Sequence, residues 1–217
     1  WGHFARLAGL AQHRDGSLLV SDDTNNIVYR ISYGAQNTPR PQVAALDMRL
    51  LAKDIAKAPN TIRMASNTFN HLGKIPVSST AWDKNISPDL RWSGVPSGTK
   101  SLVLIMEDPI ARSPKPAVHW LMANLPANAR SLPKNIAPNS RPLGAIQGGN
   151  LLGESAYFGP KPPADVLDHH YHFQIFALNK KLNLPNGYNR VALLDAMAGN
   201  VLARGEIIGK YQRDPRP

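Results

Sequence analysis

The chain has 217 residues, 42% of them apolar, enough for a self-sufficient hydrophobic core, and this excludes a disordered polypeptide. Its 19 prolines and 16 glycines interrupt helices and exclude a helical bundle or coiled coil. The absence of cysteine removes disulfides, thiol catalysis and cysteine-ligated metal centres, while 25 basic against 15 acidic side chains leave a formal charge of +10.

Most of that excess lies in residues 61–217, which hold 18 basic and 10 acidic side chains. There Lys74, Lys84, Arg91, Lys100, Arg112, Lys115, Arg130 and Lys134 are spread singly, without dense runs or interleaved aromatics. A basic solvated surface is expected, and no nucleic-acid groove. No run of roughly 18 apolar residues exists, so no transmembrane segment is expected. The chain opens on Trp1 rather than methionine, which reads as a processed product or a fragment.

In chain order, Leu18 to Val20 and Ile27 to Ile31 flank the polar turn Asp22-Asp23-Thr24-Asn25-Asn26, which predicts a β-hairpin within residues 1–34. The phrases DGSLLVSDD at 15–23 and IVYRISY at 27–33 resemble the last β-propeller blade of sorbosone dehydrogenase-type sugar dehydrogenases, which use pyrroloquinoline quinone. That resemblance implies a parent polypeptide with such a catalytic part. A quinone site needs residues from several blades, so no cofactor is expected in this chain. A lone hairpin is marginal in water, so this one is expected to dock on the neighbouring domain or on a second copy.

Residues 35–60 read as a linker, with Gly34, Pro39 and Pro41 marking a semi-extended spacer. Within it Leu50, Leu51, Ile55 and Ala56 allow a short helix before Pro59, with a connecting loop as the alternative. From residue 61 the pattern is mainly β: apolar segments at 75–77, 101–106, 118–124 and 171–178 alternate with Pro-, Gly- and Asn-rich connections. Asn189 precedes a helical spacing over 190–198, and Gly205 to Tyr211 reads as a final strand. The fold class expected is a β-sandwich or curled sheet with a short C-terminal helix, filling residues 61–217.

The chain has no nucleophile elbow, phosphate-binding glycine loop, zinc-protease helix or calcium loop. What remains are polar residues set in apolar strands: Glu107 and Asp108, His119, and the run His169 to His172. Strand alternation sends His169, Tyr171, Phe173 and Ile175 to one face and Asp168, His170, His172 and Gln174 to the other. The first face suits a small anion, because imidazole and phenol can both donate to it. The second offers donors for a divalent metal, against the plainer reading of an exposed polar face. Asp108 before Pro109 is either a turn initiator or a carboxylate that orients a histidine or accepts a ligand's amine.

Four ordered phrases then resemble the phosphatidylethanolamine-binding proteins, also called Raf kinase inhibitor-like proteins, and in particular their small bacterial members. They are KNISPDLRW at 84–92, EDPIARSPKPAVHW at 107–120, GGNLLGESAYFGPKPPADVLDHHY at 148–171, and AMAGNVLARGEIIGKYQR at 196–213. The resemblance implies a pocket for a small anionic or phosphate-bearing ligand, carried by Asp108, His119, His169 and Tyr171. Tyr157, with the backbone at Gly159 and Lys161, would complete its wall, and Trp120 and Pro160 would shield it. Asp108 would accept from the ligand's amine or from a histidine.

Departures fall at Ile110, where the family's D-P-D run has its second acid, and at Thr80-Ala81-Trp82-Asp83, where the family has T-C-D-G. A third is Ala164 to Asp168, which adds Asp165 and Asp168 near the pocket mouth and so weakens the expected hold on highly charged phosphates. The function implied is a non-catalytic module that binds a small anion or a protein partner, regulatory or accessory to a fused dehydrogenase. The alternatives are a dehydrogenase fragment without its catalytic part, and hydrolysis by Asp108 with His119 or His169 as base. Raf kinase inhibition belongs to animal relatives and is not expected, and the dehydrogenase resemblance points to a periplasmic or secreted protein.

Overall fold

Strands dominate the computed structural model, which describes residues 7–12, 18–22, 27–31, 50–110, 116–164 and 168–213. The chain divides into two units, Trp1–Leu46 and Asp47–Pro217. In the first, β1 (Leu7–Gln12), β2 (Leu18–Asp22) and β3 (Ile27–Ile31) form an antiparallel meander. The predicted hairpin is β2-β3, in register with Val20 opposite Tyr29. Strand β1 extends it to three strands. Its sequence LAGLAQ has no β-branched residue, and its register slips between Leu7 and Gly9, so neither propensity nor alternation marks it.

The second unit begins with helix α1 (Ala52–Ala56), within the stretch read from sequence as linker or short helix. Strands β4 (Asn60–Ala65), β5 (Gly73–Lys74), β6 (Leu90–Ser93) and β7 (Ser101–Asp108) follow. Then come β8 (Ala117–Pro126), β9 (Ser131–Leu132), β10 (Ile146–Gly148) and β11 (His169–Leu178). Helix α2 (Arg190–Met197) and β12 (Val201–Tyr211) complete the unit. The Asn189 side chain accepts from the Ala192 N–H at 3.0 Å, which starts α2 where the sequence indicates. The apolar stretch 75–77 is not a strand: β5 ends at Lys74, Pro76 has no N–H for a ladder, and Val77–Ser79 is a 3-10 turn.

These strands make one nine-stranded sheet in the order β10-β8-β7-β11-β12-β4-β6-β9, with β5 beside β12. Of the two architectures expected, the continuous curled sheet is the one found. Its curl is visible in the packing, since Trp92 of β6 and Leu132 of β9 share one core with Met106 of β7, Trp120 of β8 and Phe173 of β11. The other face, carrying Val103, Ile105, Leu121 and Phe176, is covered by Leu193 and Met197 of α2 and by Ala52 of α1. Both faces of β7 are therefore buried, which explains its unbroken apolar run.

A polar network holds the helical layer to that second face. Glu107, fully buried, accepts from the Ala52 N–H at 2.9 Å, from Gln174 at 2.7 Å and from Arg190, whose Nη2 also donates to the Leu50 carbonyl at 2.7 Å. Beside it Glu206 bridges His172 Nδ1 at 2.7 Å and Lys53 Nζ at 2.8 Å. Burial opposes ionisation of Glu206, but these bonds outweigh it and hold its carboxyl below the usual range. His172 is thereby committed to a carboxylate, and among the described residues no cluster of His, Asp or Glu is arranged to hold a metal ion.

Removing one side of the Glu107–Arg190 pair strands a buried charge. Arg190→Met is expected to lower unfolding free energy in urea by about 3 kcal/mol, and adding Glu107→Gln is expected to restore part of the loss.

Candidate functional site

Near the ends of β7, β8 and β11 the sheet opens into a cavity of about 420 Å³. Its polar residues are Asp108, His119, His169 and Tyr171, with Lys161 at its exposed rim. Ala117, Leu151, Leu152, Phe158, Pro162 and Pro163 supply the apolar lining. Three distant stretches of sequence meet here because β7 pairs with both β8 and β11.

His119 reaches the cavity through an irregularity. Met106 pairs with Trp120 but Glu107 pairs with Val118, so His119 is the extra residue of a β-bulge. Strict alternation from Trp120 would turn His119 toward the helical layer; the bulge re-aims it beside Tyr171, ring centroids 5.0 Å apart and edge to face. Phe158 brackets it from the other side. The Phe158 N–H donates to the His119 carbonyl at 2.9 Å, and His119 Nδ1 lies 2.7 Å from the Phe158 carbonyl.

That second contact requires a proton on Nδ1. Burial pushes the His119 pKa below its ordinary 6.5, outweighing the carbonyls of Phe158 and Gly159 and the charge of Asp108, which favour the cation. The resting ring is neutral, with Nδ1–H committed and Nε2 an acceptor. His119 therefore donates to an anion only after taking up a proton, and otherwise accepts at Nε2 from an anion that carries one.

Asp108 combines both roles that the sequence left open. Oδ1 accepts from the Ile110 N–H at 2.8 Å, closing the turn at Pro109, and Oδ2 lies 2.7 Å from His169 Nδ1. Both residues are almost fully buried, and His169 stacks with Tyr171 at 6.4 Å between centroids. The carboxylate thus orients a histidine.

Tyr157 and Gly159 do not line the cavity. Tyr157 is buried in the core, its hydroxyl donates to the Ser79 carbonyl at 2.7 Å, and burial raises its pKa. The Gly159 N–H donates to Asn85 Oδ1 at 2.7 Å, so it is unavailable to a ligand. Glycine is required there for another reason: a Cβ would lie 2.3 Å from the Ser79 carbonyl oxygen. These contacts lock segment 79–85 behind the cavity wall.

Trp120 is also set back, fully buried and donating to Gln147 Oε1 at 2.9 Å. The apolar shielding comes instead from Phe158, Pro162, Pro163, Leu151 and Leu152, none of which was singled out in the sequence. Their signal lay in the quoted phrases, beside residues that were chosen for polarity. Leu151 and Leu152 are presented by a turn in which Asn150 Oδ1 accepts from the N–H groups of Leu152 and Glu154, at 2.9 and 3.1 Å.

A neutral buried histidine gives a pH dependence of defined sign. The folded ring binds its proton less readily than the unfolded one, so the stability it contributes is complete above about pH 6.5 and falls on acidification. His119→Asn, which keeps a donor toward Phe158, is expected to flatten that part of the profile. Urea unfolding of both proteins between pH 7.5 and about 5 checks it.

The comparisons with known proteins agree with this architecture. A UPF0098 protein of Methanothermobacter thermautotrophicus is 40% identical over 153 residues, covering 70% of this chain and 99% of the relative. The UPF0098 protein YbcL of Escherichia coli is 36% identical over 132 residues, 59% of this chain and 72% of the relative. Its crystal structure, described as a new member of the mammalian family, matches with a TM-score of 0.66 at 30% identity over 71% of this chain and 99% of that one. A phosphatidylethanolamine-binding protein homologue from Chlamydia trachomatis matches with a TM-score of 0.63 at 33% identity, again over 71% and 99%. The sequence pattern described as phosphatidylethanolamine-binding protein matches residues 65–212, and from that match and these relatives the chain belongs to the phosphatidylethanolamine-binding protein family.

Proposed function

We propose that the second unit, Asp47–Pro217, is a non-catalytic binding module that takes a small anion, a phosphate or a phosphate-bearing headgroup, in the cavity beside His119. The observation that carries this reading is the convergence of two imidazoles, a phenol and a hydrogen-bonded carboxylate in one recess with apolar walls. Low-polarity walls strengthen hydrogen bonds to a bound anion, and the 420 Å³ volume lies in the range of small-molecule sites.

The lining favours binding over turnover. Among the described lining residues there is no serine, threonine or cysteine, and both oxygens of Asp108 already accept hydrogen bonds. The electrostatics favour an anion that carries a proton. A dianion meets the Asp108 carboxylate and the acceptor face of neutral His119, whereas a protonated phosphate donates to Nε2 and accepts from its neighbours.

A finer part of the proposal places this module in the service of a quinone-dependent sugar dehydrogenase, exported from the cytoplasm. It rests on the blade-like phrases at 15–33, within which β2 and β3 lie and which precede the matched region beginning at residue 65.

The test is a titration of the 217-residue chain with inorganic phosphate and with phosphoethanolamine, followed by the histidine ring signals in NMR. His119 and His169 are expected to shift at millimolar ligand, with His119 gaining proton affinity and binding tightening as pH falls toward 6. If neither ring responds at millimolar concentrations, the reading fails.

A further inference from the structure

Just outside the cavity the chain builds a feature that the anion-binding reading does not use. The turn around Thr80 is tight: its hydroxyl donates to the Val77 carbonyl at 2.8 Å, and its carbonyl accepts from the N–H groups of Asp83 and Asn85, at 3.2 and 3.1 Å. The Ala81 N–H donates to the Pro160 carbonyl at 3.0 Å, which fixes this turn against the segment carrying Lys161. The residue thus presented is Trp82, whose side chain is exposed, in the place where the family phrase has an aspartate.

Two cations gather on that ring. Lys161 Nζ lies 5.2 Å from its centroid and the Arg213 guanidinium carbon 3.9 Å. Both distances fall within cation–π range, and an aromatic face holds long, flexible side chains in place without neutralising them. Among the described residues neither cation is paired with a carboxylate, whereas Asp168, one of the acids expected to weaken anion binding, lies 3.2 Å from Lys210 Nζ. Lys161 also lines the cavity, so this positive shelf is continuous with the site.

Charge of this kind discriminates between ligands of the same phosphate chemistry. A phosphate with an ammonium tail would bring a third cation toward two that no described carboxylate pairs. A second phosphoryl group would meet a planar guanidinium, suited to bidentate contact with phosphate, and a lysine.

We propose that Trp82, Lys161 and Arg213 form a second anion subsite, and that the ligand class is a compound with two linked phosphoryl groups, one in the cavity and one on the shelf. This inference rests on the anion-binding reading of the cavity and extends it to the rim.

The experiment compares inorganic phosphate, pyrophosphate and phosphoethanolamine by calorimetry at fixed ionic strength, on wild type, Trp82→Ala, Trp82→Phe and Arg213→Gln. Wild type is expected to bind pyrophosphate about tenfold more tightly than phosphate, and phosphoethanolamine less tightly than either. Trp82→Ala and Arg213→Gln are expected to bring the pyrophosphate-to-phosphate ratio close to one while phosphate binding persists. Trp82→Phe, which keeps an aromatic face, should retain most of it. The overall field of a chain carrying +10 cannot mimic this result, because Arg213→Gln removes only one of those charges.

A ratio unchanged in Trp82→Ala and Arg213→Gln overturns the shelf and leaves the cavity reading intact, as does tighter binding of phosphoethanolamine than of pyrophosphate. Failure of wild type to bind phosphate or pyrophosphate overturns both.

Discussion

Two adjacent carboxylates at the end of β7 face opposite sides of the sheet, and each anchors a different half of the domain. Glu107 turns to the helical layer, where it accepts from α1, α2 and Gln174. Asp108 turns to the cavity, where it orients His169. The partners divide in the same way along β11, where His169 and Tyr171 face the cavity and His172 and Gln174 face the helices. Period-two geometry thus converts a short run of polar residues into two separate networks. A shift of one residue between β7 and β11 would exchange them, so the register is held by charge pairing as well as by the apolar core.

Alternation alone does not assemble the cavity. On β8 it would place His119 among the side chains that pack against α2, and the bulge opposite Glu107 corrects this. The result is a ring with one nitrogen facing a carbonyl and the other facing the recess. Burial keeps this ring neutral beside the Asp108 carboxylate, so its Nε2 is an acceptor until a proton is supplied. What such a ring can hold therefore changes with its protonation, unlike a permanently charged arginine.

The floor of the site and Lys161 at its rim were legible in the sequence, and the rest of the wall was not. Asp108, His119, His169 and Tyr171 stand out because polar residues in apolar strands need a reason to be there. Tyr157 and Gly159 are implied by the family resemblance alone, and the structure gives them a different task, the clamp between segments 79–85 and 157–161. No local pattern distinguishes a tyrosine that donates to a ligand from one that donates to a carbonyl 78 positions away. Leu151, Leu152 and Phe158 were overlooked because an exposed leucine or a phenylalanine in a loop needs no explanation until the fold brings it to a recess. Strand β1 was missed for lack of β-branched residues, and the continuous sheet could not be separated from a sandwich because curl depends on long-range packing.

The same clamp separates scaffold from specificity. Its hydrogen bonds run through Ser79, Asn85 and the 157–160 backbone, all behind the wall, so the side chain at position 82 is free to vary without disturbing the fold. An aspartate there would neutralise Lys161 and Arg213; a tryptophan holds both and leaves their charge available. Ile110, for its part, is apolar where the family's second acid would add negative charge. At 80–83 the acid count is unchanged, because Asp83 stands where the family phrase has a glycine, so there the charge is displaced by one position rather than removed, and Asp168 adds a negative charge that Lys210 pairs.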